Sequence, residues 1–330
     1  MGTGSARTPW QRSEARRKLL RFADATFHWG TAAVAIGVAA LVAAFAYVLA
    51  TQAKLTLNLF GLAFIGGTVW DPNRGVYGAL PVIVDTLLTS AIALLIGVPL
   101  SLGVAIFLSE QSPHWLRNPL GSVVELLAAV PSVIYGFWGI AVLVPLMRGS
   151  VEPGLQSGAM AFPAWSGIPG LFGGTPRGFD ILTAGVILAV MIVPTVSAVS
   201  REALYAVPQS QREAALSLGA TRWEATRIGV LKYARAGIFG AVILGLGRAF
   251  GETMAVTMTI GNNPTLPHSL LSQGQTMASL IANEFTEVSG PLQLSALLEV
   301  GLVLLVIAFV INAVARLLVG RVLSTREAVE

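Results

Sequence analysis

Gly245-Leu246-Gly247-Arg248-Ala249-Phe250-Gly251-Glu252-Thr253-Met254-Ala255-Val256 lies inside a hydrophobic stretch running from about Ala234 to Ile260, with an arginine near its middle and a glutamate one helical turn on. A charged side chain near the centre of a bilayer costs roughly 2.5 to 3.5 kcal/mol on insertion scales, so a membrane helix that keeps two is using them. The most economical use for a lone intramembrane arginine is to handle an anion, whose oxygens match the planar fork of the guanidinium. The stretch reads as a membrane span that carries chemistry.

The rest of the 330-residue chain has the same character, with 54% hydrophobic and only 12% charged residues, a balance foreign to soluble globular domains. Cysteine is absent, which excludes disulfides, thiolate nucleophiles and cysteine-based metal sites. His28, His114 and His268 lie far apart in sequence, so no metal cluster and no cofactor is expected. Six segments are long enough to cross a hydrocarbon core of about 30 Å: Phe27 to Ala50, Leu80 to Leu108, Gly121 to Met147, Ile181 to Ala203, Ala234 to Ile260, and Leu292 to Val319. The expected fold is an all-α integral membrane protein, with a basic tail over 1–26 and a six-helix domain over 27–330. The first apolar run is too long for a cleaved signal and stays as an anchor. Pro99, Pro131, Pro145 and Pro194 fall within or beside spans and predict kinks or breaks.

Orientation follows from lysine and arginine. The tail holds Arg7, Arg12, Arg16, Arg17, Lys18 and Arg21, and the segments after the second, fourth and sixth spans are also basic, from Arg117 through Arg212 and Arg222 to Arg316, Arg321 and Arg326. The opposite side has only Lys54, Arg74, Arg148 and Arg177. By the positive-inside rule both termini are cytoplasmic. The net charge of +4 reports this topology, and without an aromatic-basic platform it gives no support for nucleic-acid binding. The three outer segments, Thr51 to Ala79, Arg148 to Asp180 and Asn263 to Pro291, are longer than plain connections require. Simple connection and contact with an external partner both remain open for them, and the mixed first one and the Gly- and Pro-rich second one are both expected to be irregular.

The inner segment over about 204–233 is the second informative feature. Pro208 ends the preceding helix, Ser210 and Glu213 stand at capping-box spacing, and Gly219 suits a left-handed helix end. A short capped helix is predicted there, exposing alanines, leucines and Trp223 at the cytoplasmic surface, a shape fitted to a groove on another protein.

Glu213-Ala214-Ala215 followed by Gly219 resembles the EAA loop of permease subunits in ATP-binding-cassette importers. That resemblance implies a coupling helix docked in a cleft of an ATPase subunit. Leu231 fits the later part of the family pattern, whereas Gly229 stands in an isoleucine place and Lys232 in a proline place. The stretch Gly245 to Val256 is similar to the fifth span of phosphate permeases of the PstC type, and Glu125-Leu126-Leu127-Ala128-Ala129-Val130-Pro131-Ser132-Val133-Ile134-Tyr135-Gly136 resembles their third. The likeness implies a type I importer. Its parts would be two permease subunits (this one and a PstA type), ATPases of the PstB type and an external phosphate-binding protein of the PstS type. They would work in a bacterial cytoplasmic membrane on inorganic phosphate.

Under that resemblance Arg248, Glu252 and Thr253 line the substrate pathway, with Thr257 and Asn262 further along the same helix, and Glu213, Ala214, Ala215 and Gly219 couple to the ATPase. Each has a plainer explanation. Glu213 could serve only the capping box, Gly247 and Gly251 suit close helix packing, and Arg248 and Glu252 at i and i+4 could neutralise each other. Glu125 and Glu299 are expected near span ends or facing the bundle interior, and Asp85 at the interface. Other classes fit less well. A secondary transporter should show an inverted repeat, and none is apparent between the halves. No lysine follows a glycine, so there is no Walker A motif and the chain is not expected to hydrolyse ATP itself. A permease for another oxyanion, molybdate or sulfate, is the nearest alternative.

Overall fold

Apolar runs of 25 to 32 residues fold as helices in a membrane because every backbone hydrogen bond then closes within the segment. The computed structural model describes residues 9–163 and 166–324; among them there are helices, turns and two isolated bridges, Asp71 to Val76 and Gly261 to Gly274, but no sheet. Among the described residues six helices are long and apolar enough to cross a membrane: Thr26–Gln52, Leu80–Gln111, Ser132–Ala159, Ile181–Tyr205, Arg222–Gly251 and Pro291–Leu317. Arg7 and Arg326, counted toward the orientation, lie outside the described residues.

The chain divides into two units, 1–52 and 53–330. The first contains α1 (Pro9–Gln52), a single helix in which the basic segment runs without a break into the first span. Phe27, Val34 and Leu41 on this helix are exposed. The second unit contains, in order, α2 (Lys54–Phe60), α3 (Leu80–Ile106), α4 (His114–Ala128), α5 (Ser132–Trp138), α6 (Glu152–Ala159), α7 (Ile181–Tyr205), α8 (Gln209–Ser217), α9 (Arg222–Ala225), α10 (Lys232–Gly251), α11 (Met254–Thr257), α12 (Met277–Glu284) and α13 (Pro291–Ser324).

The most buried span is α7. Its Asp180 cap accepts a hydrogen bond from Thr183 N at 2.8 Å, satisfying one of the N–H groups a helix start leaves open. It packs on α3 by exchanging glycines for isoleucines: a Cβ on Gly97 would lie 2.7 Å from Ile192 Cδ1, and one on Gly185 would lie 2.5 Å from Ile92 Cγ2. Such contacts let two helix backbones approach closely, which is how helices associate where lipid removes the hydrophobic driving force. Ala93, Leu188, Ile192, Val196, Ala241 and Ala249 extend this core to α10.

Two predicted spans are redrawn. The third does not begin at Gly121. That residue belongs to α4, which stops at Ala128, and the extended Pro131 (φ −58°, ψ 141°) precedes the true start at Ser132. The span then passes through wide π-helical turns at Gly139–Leu143 and Met147–Val151 into α6. It accommodates Pro145 on the way, as the extra residue per turn permits. Both segments expected to be irregular are therefore partly helical: the one from Arg148 is helical to Ala159, and the one from Thr51 holds α2 and a further turn of helix at Ala63–Gly66. The fifth span does not run on to Ile260 as one helix, because α10 ends at Gly251. Asp85 also differs from expectation, being fully buried and accepting from Gln275 N at 2.8 Å, so that it ties α3 to the outer loop before α12.

Candidate translocation site and coupling surface

Arg248 occupies the last turn of α10. Glu252 follows in extended geometry (φ −72°, ψ 127°), and a separate one-turn helix, α11, begins at Met254. The break changes the chemistry in two ways. It places a guanidinium beside the unpaired carbonyls of a helix C-terminus, where a cation is favoured by roughly 0.3 to 1 kcal/mol. It also turns Glu252 away. Glu252 Oε1 accepts from Ala255 N at 3.3 Å, and among the described residues Arg248 forms no ion pair. The mutual neutralisation that i, i+4 spacing suggested does not occur, because the two residues do not share a helix.

The partner of Arg248 is neutral. Its Nη1 donates to Thr195 Oγ1 at 3.1 Å, and Thr195 follows Pro194 inside α7. Tyr135 of α5 lies within electrostatic reach of Arg248 and donates from its hydroxyl to Leu127 O at 2.8 Å. The two quoted motifs meet here, for a Cβ on Gly136 would lie 3.3 Å from Ala255 Cα. Thr253, Thr257 and Asn262 were expected on the Arg248 helix. All three lie beyond the break, with Thr257 Oγ1 bonded to Thr253 O at 2.8 Å and Asn262 Nδ2 to Thr257 O at 2.8 Å. Thr195 was not singled out in the sequence, where a Pro-Thr pair in mid-span was the available signal. Cβ atoms on Gly247 and Gly251 would meet nothing within 4 Å, so their packing role is not exercised inside this chain; Gly237 and Gly245 supply the close contacts instead.

In the segment after α7, α8 spans Gln209–Ser217 and has no buried residue. Its N-cap is Pro208, and Ser210 lies within the helix without capping it. The capping box is real but eleven residues later, where Thr221 and Glu224 bond reciprocally at the start of α9. Gly219 closes α8 at φ 85°, with Gly219 N bonded to Leu216 O at 3.0 Å and Ala220 N to Ala215 O at 3.2 Å, the paired bonds of a Schellman end. Gly229, a departure from the family pattern, has a local reason: a Cβ there would lie 3.0 Å from Gln211 O, so glycine lets the following helical turn approach α8 without displacing it.

Arg212 is the residue that the sequence did not reveal. It donates to Glu110 through Nη2 (2.8 Å) and Nε (3.2 Å), to Leu204 O (3.0 Å) and to Val207 O (2.7 Å). One guanidinium thus joins α8 to the end of the second span and the end of the fourth. Around it Leu216, Leu218, Trp223 and Ile228 are exposed, as are Glu213 and Ala214. Glu125 bonds Arg201 Nη2 at 2.6 Å across α4 and α7, and Glu299 is buried within α13.

Residues 97–324 match the model of the binding-protein-dependent transport system inner membrane component family. The chain is 45% identical over 95% of its length, and 96% of the relative's, to the phosphate transport system permease protein PstC of Mesorhizobium japonicum. It is 47% identical to PstC of Pasteurella multocida over 81% of this chain and 82% of that one. Among solved structures, a chain of the MetNI methionine ABC transporter in an inward-facing form superposes with a TM-score of 0.54 at 17% identity, covering 77% of this chain and 99% of that one, which shows the shared fold alone. Six apolar helices and this ancestry make a multi-pass inner membrane protein with the type I ABC importer permease fold, and the chain belongs to the PstC family of phosphate transport system permeases.

Proposed function

We propose that the chain is one of two permease subunits of an ATP-driven importer of inorganic phosphate, and that Arg248 is the anion-handling group of its pathway. One observation carries this reading: the guanidinium sits at a helix break among membrane spans with, among the described residues, only a threonine hydroxyl as partner. Arg248 is half-buried; a charge held among membrane spans without a counterion is expensive, and a substrate oxyanion is the counterion that repays it during transport. The neutral Thr195 contact matters for release. Phosphate is strongly hydrated, and a site made of several cations would hold it; one arginine that returns to a hydroxyl lets it go. Glu252 and Thr253 line the path beyond the break, and Glu252 opposes overly tight anion binding by its charge without pairing to Arg248.

ATP hydrolysis belongs to a separate subunit of the PstB type, which docks on α8 through Glu213, Ala214, Ala215 and the exposed Leu216, Leu218 and Trp223; Gly219 preserves the shape of that helix end. The exposed face of α10 carrying Gly247 and Gly251 meets the second permease, of the PstA type. A PstS-type binding protein delivers phosphate from outside, and both termini lie in the cytoplasm of a bacterial cell. The competing reading within the class is a molybdate or sulfate permease. Uptake of labelled phosphate in cells expressing the whole importer separates them. A tenfold excess of unlabelled phosphate is expected to suppress uptake, and the same excess of sulfate or molybdate to leave it unchanged; suppression by either of these instead would reassign the substrate.

A further inference from the structure

Between two outer loops lies a cavity of about 250 Å³, several times the roughly 30 Å³ share of one water. Thr175 and Arg177 of the Gly- and Pro-rich loop form one wall, and Asn263, Thr265, His268 and Ser272 from the loop after α11 form the other. Its shape is held by cross-bonds: Ser269 Oγ donates to Gly173 O at 2.6 Å, Leu270 N to Leu171 O at 2.9 Å, and Gln156 Nε2 to Gly174 O at 2.8 Å. Among the described residues no carboxylate lines it. Arg177 is exposed and makes no ion pair among the described residues.

The acids close to its walls are buried: Asp180, which follows Arg177 in the same loop and lies near Glu152, and Asp85, which accepts from Gln275 N at 2.8 Å. Burial, with Glu152 adding to it, raises the Asp180 carboxyl to about 7, so that group carries only part of its charge near neutral pH. A preformed polar recess with a free guanidinium, an imidazole and several hydroxyl and amide donors is complementary to an anion. The segment from Glu252 to Asn262 leads directly from the Arg248 break to the cavity wall.

We propose that this cavity is an outer receiving site for a tetrahedral oxyanion, held by Arg177 and His268 before it moves inward to Arg248. The proposal rests on the reading of the chain as an oxyanion permease and adds a second station to it. The absence of cysteine makes a direct test available. Thr265→Cys, with Ser272→Cys as a second reporter, is labelled from outside by a membrane-impermeant thiol reagent. The vesicles are right-side-out, carry the full membrane complex and are washed free of binding protein. Inorganic phosphate is expected to slow labelling severalfold, and potassium chloride of equal ionic strength is not. Adding Arg177→Gln is expected to raise the half-protecting phosphate concentration roughly tenfold, and Arg177→Lys to raise it less. Absence of protection at both reporters, equal protection by chloride, or protection indifferent to Arg177→Gln would overturn the site. Phosphate uptake by the unmodified importer, measured in parallel, keeps the two levels apart: its loss would sink the permease reading, whereas intact uptake with unprotected reporters sinks only the outer station.

Discussion

Arg248 owes its availability to a backbone event four residues later. Had α10 continued through Glu252, the two charges would have shared a helix face and partly neutralised each other; the extended geometry at Glu252 sends its carboxylate to Ala255 N instead. The sequence made the arginine conspicuous because charge in an apolar run stands out, but it did not mark the break, since Gly251-Glu252-Thr253 contains no proline. A structural ion pair and an anion site give opposite results in a double mutant. Arg248→Gln is expected to leave expression and assembly intact and to lower phosphate uptake more than tenfold, on the order of 1.4 kcal/mol or more. Glu252→Gln should have a smaller effect, and because the side chains do not touch, combining the changes should bring no recovery. Near-normal uptake in the double mutant, with normal assembly, would restore the ion-pair reading.

At the scale of elements, the inner helix α8 shows which signals survive in a sequence. Its end was legible because Gly219 adopts φ 85°, a conformation costly for other residues. Its start was misread because Ser210-x-x-Glu213 and Thr221-x-x-Glu224 have the same spacing, and only the fold decides which becomes a capping box; Pro208, extended at ψ 140°, already occupies the cap of α8. The link from Arg212 to Glu110 was invisible because its partners are separated by 102 residues. With side chains only 18% and 11% exposed, this pair ties α8 to the ends of two spans, the link that coupling through α8 would need. Arg212→Ala leaves a half-buried carboxylate unpaired, at a cost of about 1 to 3 kcal/mol. ATP hydrolysis by the assembled importer is therefore expected to persist while uptake per ATP falls severalfold. The exchange Glu110→Arg with Arg212→Glu should recover part of the coupling if the pair itself is what transmits force; unchanged uptake per ATP in Arg212→Ala would dismiss the link.

The whole molecule was legible in outline because a membrane imposes length and polarity on every crossing. All six crossings were found, and the redrawn borders fall where a short amphipathic helix, α4, abuts a span and where the fifth span breaks, features that hydropathy averages away. Which side each loop faces is a separate matter, resting on the lysine and arginine asymmetry. The folded chain is consistent with that asymmetry in one respect. The ends joined by Arg212 and Glu110 carry the basic loops, while the opposite ends carry the long loops enclosing the Arg177 cavity. Single cysteines at Ser217 and Thr265 therefore report opposite faces. In intact cells with a permeabilised outer layer, an impermeant thiol reagent is expected to modify Thr265→Cys and to spare Ser217→Cys until the inner membrane is opened, when labelling at Ser217 should rise at least tenfold. Modification of Ser217→Cys in sealed cells would invert the topology and, with it, place the α8 surface beyond the reach of any cytoplasmic ATPase.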